Sequence, residues 1–413
     1  MKRQALLRVA TLALACVATA ARAADWEMDL DVRLLTSDGQ KSFLDGGSGA
    51  LRFGQAQSGL QWGRLRLALN QTLGELWSLH LDASSYGDDD KNPIDLTEAY
   101  LQFRPYPFDG WRLRVKAGAF YAPISLENRA SGWESPYTLS SSAINSWVGE
   151  ELRTIGVEGQ LDWLGTRLGH SFDVGLTGAV FGWNDPAGVA LADGGFMIDD
   201  RQSTLFGRIG RPGGGPFPPL EVFHEIDGRP GAYGGVEARY LDRLVVRALH
   251  YDNRADPGDR DPALHEFAWA THFNSVGARV ETAQGWTGIA QWLNGCTTVA
   301  PGGMRFEFPF EAKFLLLSKR TGVHTLSVRY DKFQVLQDSY GGDAGDGSDA
   351  GQRGHAWTVA YVFEPNAHWK LTLEWLSVTT DSSAREEYFQ TQGLVAEHKL
   401  EAAFRYALGS GLR

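Results

Sequence analysis

From residue 24 onward the chain alternates apolar and polar positions in segments of roughly nine to twelve residues, a period of two that marks strands with two unlike faces. In "DWEMDLDVRLL" (25–35), Trp26, Met28, Leu30, Val32 and Leu34 share one face, opposite Glu27, Asp29, Asp31 and Arg33. The same rhythm returns in "EAYLQFR" (98–104), "RTIGVEGQLDW" (153–163), "GVHTLSVRYDKF" (322–333), "HWKLTLEWL" (368–376) and "EHKLEAAFRYAL" (397–408). Helical spacing is nowhere sustained. About 16 to 18 such segments fit the chain, and their connections are of two kinds that mostly alternate. Short ones fall at 105–110, 164–169, 241–243, 319–322 and 364–367; long polar ones fall at 36–57, 86–93, 121–150, 184–200, 252–263, 337–353 and 380–394. This predicts an up-and-down antiparallel meander with short turns at one end and long loops at the other; the stretch 275–303 fits it least well.

Which face is buried decides the class. A soluble sandwich hides its apolar face, whereas a membrane barrel turns it toward lipid around a polar, water-filled interior. Trp111, Trp163 and Trp369 sit beside short turns, where amphipathic rings meet a membrane interface. The polar faces carry both signs of charge on strand after strand, as a lumen would. No helix is available to cover a sheet edge, and lipid cannot satisfy an open one, so the sheet must close. The predicted fold is therefore all-β: a transmembrane antiparallel β-barrel of about 16–18 strands, with short periplasmic turns and long extracellular loops. Leu400, Ala402, Phe404, Tyr406 and Leu408 share one face, as in a closing strand.

Residues 1–23 have the parts of a cleaved secretory signal: Lys2 and Arg3, an apolar stretch from 9 to 18, and Ala21-Arg22-Ala23. The expected mature chain, 24–413, is a single barrel domain exported to the outer membrane of a Gram-negative cell. Cys296 is then the only thiol, so no intrachain disulfide is possible. Loss of Lys2, Arg3, Arg8 and Arg22 makes the mature chain four charges more negative than the −11 of the full sequence, which argues against nucleic acid as a partner.

The stretch "GWRLRVKAG" (110–118) sets Arg112, Arg114 and Lys116 against Trp111, Leu113, Val115 and Ala117. With the apolar face toward lipid, the three cations project into the lumen. Arg104 and Arg112 flank the same short turn, and Arg64 and Arg66 approach from a neighbouring hairpin. Such an array would attract anions. Alternatively Asp82, Glu98, Glu158 and Asp162 balance it in cross-strand pairs that stiffen the wall. Other inward positions are mixed in sign, including Glu237 and Arg239, Arg329 and Asp331, Lys370 and Glu374, and Glu397, Lys399 and Glu401. A field of that kind suits a general hydrophilic pore. The loops 87–95 and 337–352 are acidic, but the spacing of Asp343, Asp346 and Asp349 is not that of an EF-hand, so no metal or cofactor is expected. The sequence contains no G-x-S-x-G, no H-E-x-x-H, no P-loop and no dinucleotide fingerprint.

The run "EAYLQFRPYPFDGWRLRVKAGAFYAPISLEN" resembles the matching strand-turn-strand of outer-membrane porins of the phosphate-selective O and P type. "SGWESPYTLSSSAINSWVGEELRTIGVEGQ" (131–160) and "LSVRYDKF" (326–333) look like later parts of relatives of that group. The resemblance implies a 16-stranded homotrimeric channel, set among outer-membrane lipid and lipopolysaccharide, with loop 121–150 folded inward as its constriction. In phosphate-selective members a ladder of Arg and Lys guides anions. Here loop 121–150 holds Arg129 as its one basic residue beside Glu127, Glu134 and Glu150, so that ladder is matched only in part. The resulting expectation is a passive channel for small hydrophilic solutes or anions, not an enzyme, with a path lined by Arg64, Arg66, Arg104, Arg112, Arg114, Lys116, Arg129 and Glu134. The alternatives are a barrel hydrolase with catalytic residues at its rim, or a secreted soluble β-protein that binds carbohydrate through its Trp residues.

Overall fold

The computed structural model describes residues 24–86, 94–211, 219–336, 338–340 and 351–410. The signal at 1–23 lies outside the described residues, as does most of the acidic segments 87–95 and 337–352. The alternating segments form one antiparallel sheet of sixteen long strands. In chain order these are β1 (Asp25–Ser37), β2 (Gly59–Leu73), β3 (Trp77–Ser85), β4 (Asp95–Phe103), β5 (Trp111–Phe120), β6 (Thr154–Trp163), β7 (Phe172–Gly182) and β8 (Gly231–Tyr240). There follow β9 (Leu244–Asp252), β10 (Ala270–Glu281), β11 (Trp286–Val299), β12 (Arg305–Thr321), β13 (His324–Leu336), β14 (Gly351–Phe363), β15 (Trp369–Ser382) and β16 (Leu394–Gly409). Each pairs with its neighbours in sequence, and β1 pairs with β16, Leu30 opposite Tyr406, so the sheet closes and leaves no edge.

Tight turns gather at one end. Asp109 and Gly110 both have positive φ (46° and 78°), and Phe108 and Trp111 exchange two backbone hydrogen bonds around them. This is the hairpin geometry whose twist matches that of the flanking strands. Leu241 and Asp242 repeat the positive pair between β8 and β9. At the other end the loops are long, and one is longer than the alternation predicts: the segment starting near 184 does not rejoin the sheet until Gly231. Its continuation "GRIGRPGGGPFPPLEVF" is dense in Gly and Pro, which cannot sustain a ladder. Within 275–303 the structure places β10, a turn at 282–285 and β11, with only residues 300–304 leading to β12.

Polarity runs opposite to that of a soluble barrel. On the outer wall Leu315 is 62 % exposed and Leu176 57 %, while inward Arg329 and Arg33 are 0 % and 1 % exposed. Aromatic residues mark two levels of this apolar wall: Trp286 and Trp292 on β11, and Trp369 and Trp375 on β15, are each six residues apart, roughly 20 Å along a strand. Such girdles bound a lipid-facing band. No helix among the described residues is long and apolar enough to cross a membrane.

The interior departs from a uniformly wet lumen. Inward Phe273, Leu293, Phe310, Phe314, Leu316 and Phe333 bury themselves against Ile144, Trp147 and Val148 of helix α1 (Ala143–Glu151) and against Phe196 and Ile198 of the long 183–230 loop. The Trp147 ring lies 5.0 Å from Phe310 and 5.3 Å from Phe273. One side of the barrel is thus filled with a protein core, and the side from β15 through β16 and β1 to β3 carries a dense cluster of charged groups. The sequence signal was "FEFPFEAKFLLL" (306–317): Phe306, Phe308, Phe310, Ala312, Phe314 and Leu316 share one face, the opposite face is polar at Glu307, Glu311 and Lys313, and only 314–317 is apolar on both, so here the apolar face points inward.

Leu373 faces outward between the girdle residues Trp369 and Trp375. Its replacement by Arg is expected to cost about 2–4 kcal/mol in a urea titration of the protein refolded into phospholipid vesicles; a cost near zero would mean that this wall meets water.

Candidate functional site: a neck between an inward loop and the charged wall

The connection between β5 and β6, residues 121–153, turns into the barrel. Glu127, fully buried, accepts hydrogen bonds from the Ser142 backbone N–H (3.0 Å) and the Asn145 side-chain amide (2.9 Å), and pairs with Arg329 of β13 at 2.6 Å. Arg329 also holds Asp331 at 2.8 Å and donates to the Ser140 and Ser141 carbonyls at 2.7 and 2.8 Å. Asp331 accepts from the Ala143 N–H (3.1 Å), and Glu374 of β15 accepts from Leu139 (2.7 Å) and Ser140 (3.1 Å). Ser142, whose hydroxyl accepts from the Asn145 N–H, caps the start of α1. Buried charges are tolerated only when each is paired and bonded, and here the wall's carboxylates and Arg329 satisfy the backbone of the loop while the loop satisfies them.

The tip of this loop meets the charged wall. Glu134 is held between Arg64 of β2 and Arg405 of β16. Burial would raise its carboxyl, but Arg405 and Arg64 outweigh that and hold it at about 2. Next to it Asp200, from the 183–230 loop, pairs with Arg33 (2.5 Å) and Arg52 (3.2 Å). Arg33 in turn reaches Asp31 (2.7 Å) and Glu401 (3.3 Å). Toward the short-turn end lies a vestibule of about 420 Å³ bordered by Glu27, Asp29, Ser131, Arg320, Glu364 and Lys370. It adjoins a space of only about 20 Å³ among Trp133, Ser135, Leu139, Asp200, Gln202 and Thr372. Glu134, Lys370 and Arg405 line both, which places a neck at these three side chains.

The sequence-derived residues divide into three groups. Arg64 and Glu134 meet at the neck, and Arg66 stands beside it, bonded to Asp29 (2.9 Å), Asp82 (2.6 Å) and the Ser131 hydroxyl (2.8 Å). Arg129 pairs with Glu281 of β10 at 2.6 Å and borders a separate recess of about 400 Å³ on the other side of Ala130. Arg112 and Arg114 share Asp162 (2.9 and 3.2 Å) and Lys116 pairs with Glu158 (3.3 Å), all on neighbouring β6. Glu98, a candidate counter-charge for that strip, instead accepts the Tyr121 N–H at 3.2 Å. Arg104 is exposed in the turn after β4, where its backbone N–H donates to the Leu76 carbonyl.

Sequence reasoning did not single out Arg33, Arg52, Asp200 or Arg405 as neck residues. Arg33 and Arg405 sit at inward positions of alternating strands and were legible as such. Asp200 and Arg52 come from loops, and no periodicity reports that a loop turns inward. Asp185, Glu225 and Asp227 bring carboxylate oxygens within 4.8 Å of one another near the start of the 183–230 loop. Asp185 accepts the Ile226 and Asp227 N–H groups and Glu225 that of Trp183, which accounts for their convergence.

No protein-family model and no curated protein matches the chain. Solved structures match it along nearly its full length. OmpT of Vibrio cholerae lacking its loop L8, an outer membrane protein, is 10 % identical over 94 % of this chain and 99 % of its own, with a TM-score of 0.52. The outer membrane channel DcaP of Acinetobacter baumannii is 11 % identical over 94 % of this chain and 96 % of its own, also at 0.52. The likeness is one of fold. It agrees with a closed sixteen-strand barrel, and the chemistry of the interior rests on this chain's own residues.

Three buried carboxyls dock the loops to each other. Glu151, at the end of α1, accepts the Trp147 indole N–H (2.7 Å) and the N–H groups of Ala190 (2.8 Å) and Leu191 (3.0 Å). Burial nevertheless pushes it up to about 7. Burial and mutual repulsion raise Glu150, and burial lifts its partner Asp199 to about 6. A carboxyl whose folded value lies above its unfolded one holds its proton longer when folded, so these groups favour the fold below about pH 4.5 and withdraw that support as pH climbs toward 7.

Two outcomes follow from this arrangement. Arg329→Ala leaves Glu127 and Asp331 buried without their cation and is expected to lose about 3–5 kcal/mol of stability in denaturant titration. The melting temperature in detergent should fall from pH 5 to pH 7.5, and Glu151→Gln should flatten that slope; an unchanged slope would place the titrating groups elsewhere.

Proposed function

We propose that this chain is an outer-membrane porin through which small hydrophilic solutes diffuse passively, with residues 121–150 forming the constriction. The observation that carries the reading is a charged passage, vestibule to neck, inside a barrel whose outer wall is apolar. The core on the other side of the interior confines solutes to the charged half. Export by the signal at 1–23 and assembly as a homotrimer, both expected from the sequence, belong to the same proposal.

Selectivity in this reading is set at the neck. Phosphate selectivity of the O and P type calls for free cations along the path, whereas Arg112 and Arg114 share Asp162 and Lys116 pairs with Glu158, so this strip of three cations keeps one net positive charge and is largely tied into the wall. At the neck one carboxylate, Glu134, faces two guanidiniums, Arg64 and Arg405, while Lys370 beside them pairs with Glu364 at 3.7 Å, an arrangement that supports a weak anion preference.

The test is a planar bilayer recording across a KCl gradient. Wild type is expected to show stepwise current with a small preference for chloride. Glu134→Gln frees two guanidiniums and should shift the reversal potential further toward chloride, while Arg114→Gln should leave it near the wild-type value. Because Glu134 titrates at about 2, its contribution should hold from neutral pH down to about pH 4 and vanish only in stronger acid, where wild type approaches the variant. A purified protein that stays soluble without detergent and carries no current would overturn the proposal.

A further inference from the structure

On the outer wall, Lys313 of β12 and Lys332 of β13 are direct cross-strand partners, and His355 of β14 stands opposite Lys332 in the same row. Lys313 and Lys332 are both exposed and on the face that carries Leu315 and Val328. Like charges set directly opposite destabilise a sheet. Glu311 relieves Lys313 at 3.1 Å but also accepts the Trp292 indole N–H at 3.0 Å, and among the described residues Lys332 has no carboxylate within ion-pair distance. With one carboxylate for two lysines, the pair presents a net positive charge on a wall otherwise turned toward lipid.

Directly beside it, toward the short-turn end, the wall is hollow. Ala278 and Ala290 face each other as small floor residues, and Val246, Leu315, Tyr330 and Trp292 rise around them to border an apolar groove of about 510 Å³ that ends at the two lysines. Trp292 belongs to the girdle nearer the long loops, so the lysines lie at headgroup depth on that side. An apolar groove capped by two cations fits an amphiphile with an acyl chain and a phosphate.

We propose that this groove holds one acyl chain of a phosphorylated lipid of the outer leaflet, lipopolysaccharide in a Gram-negative outer membrane, with its phosphate bridging Lys313 and Lys332. The inference rests on the reading of the barrel as an outer-membrane protein. Charge complementarity selects a lipid phosphate over a second copy of this patch, which would bring two lysines for its one carboxylate, Glu311.

The experiment titrates the full-length protein in detergent with purified diphosphoryl lipid A and counts bound lipid by native mass spectrometry. Wild type is expected to retain one tightly bound lipid. Lys313→Ser with Lys332→Ser should bind it roughly thirtyfold more weakly, given the usual worth of two basic residues at a lipid surface. Ala290→Trp, which fills the groove and keeps both lysines, should also lose it. Equal retention by wild type and either variant overturns the proposal. So does displacement of the lipid by equimolar inorganic phosphate, which would mark a simple anion site, and so does a change of oligomeric state in Ala290→Trp without loss of lipid, which would mark a subunit contact. Because the altered residues lie outside the barrel, single-channel conductance should match wild type, so failure here and failure of the channel reading are told apart.

Discussion

The buried pair of Arg329 and Glu127 is the constraint on which the interior depends. A guanidinium with no exposure to solvent must spend all its donors on protein, and Arg329 spends them on two carboxylates, two carbonyls of the inward loop and the hydroxyls beside them. That demand fixes where residues 138–142 lie, which fixes the start of α1 and, through Trp147, the packing of the apolar half of the barrel. The same demand positions the other arm of the loop, so that Glu134 arrives between Arg64 and Arg405. A loop held only by apolar contacts could slide; one held by a saturated charge cluster has a single register.

Two opposing solvents shape the wall. Lipid outside asks for apolar residues at every second position, and the strands supply them between the girdles, with Lys313 and Lys332 level with Trp292 as departures at the edge of the band. Inside, the chain answers in two ways. From β10 to β13 the inward aromatic and aliphatic residues close on a core contributed by loops, with Arg329 and Asp331 as the charged anchor within it. From β15 through β16 and β1 to β3 they are charged, paired and wet at the vestibule. A sixteen-strand barrel left empty would be a wide hole. Loops and core fill much of the interior, and the vestibule and the narrow space next to it are bordered by a few charged and polar side chains.

The fold was legible because period two survives in nearly every strand and turn chemistry punctuates it, as at Asp109-Gly110. The charged strip at 112–116 was equally legible as inward-facing, yet its energetic meaning lay in Asp162 and Glu158 across the ladder, which only the register reveals. The neck was half visible. Arg64 and Glu134 stood out by sign and position, whereas Asp200 and Arg52 sit on irregular segments where no period predicts direction. The length of the 183–230 excursion was underestimated because isolated apolar residues such as Ile209, Leu220 and Val222 mimic strand positions while packing as a small core with Phe43 and Met197. The apolar part of the interior was written in 306–316, where the aromatic face alternates with Glu307, Glu311 and Lys313, but the pattern does not say which of the two faces points inward, and the register decides that.

The central claim is that solutes pass through the vestibule beneath Glu134. It is tested most directly by placing a single thiol there. In a Cys296→Ser background, Ser131→Cys puts the only cysteine of residues 24–413 on the vestibule wall, and a charged thiol reagent is added during a bilayer recording. A stepwise fall in single-channel current on modification is the result this account predicts. Complete modification, verified by mass, with no change in current would contradict it.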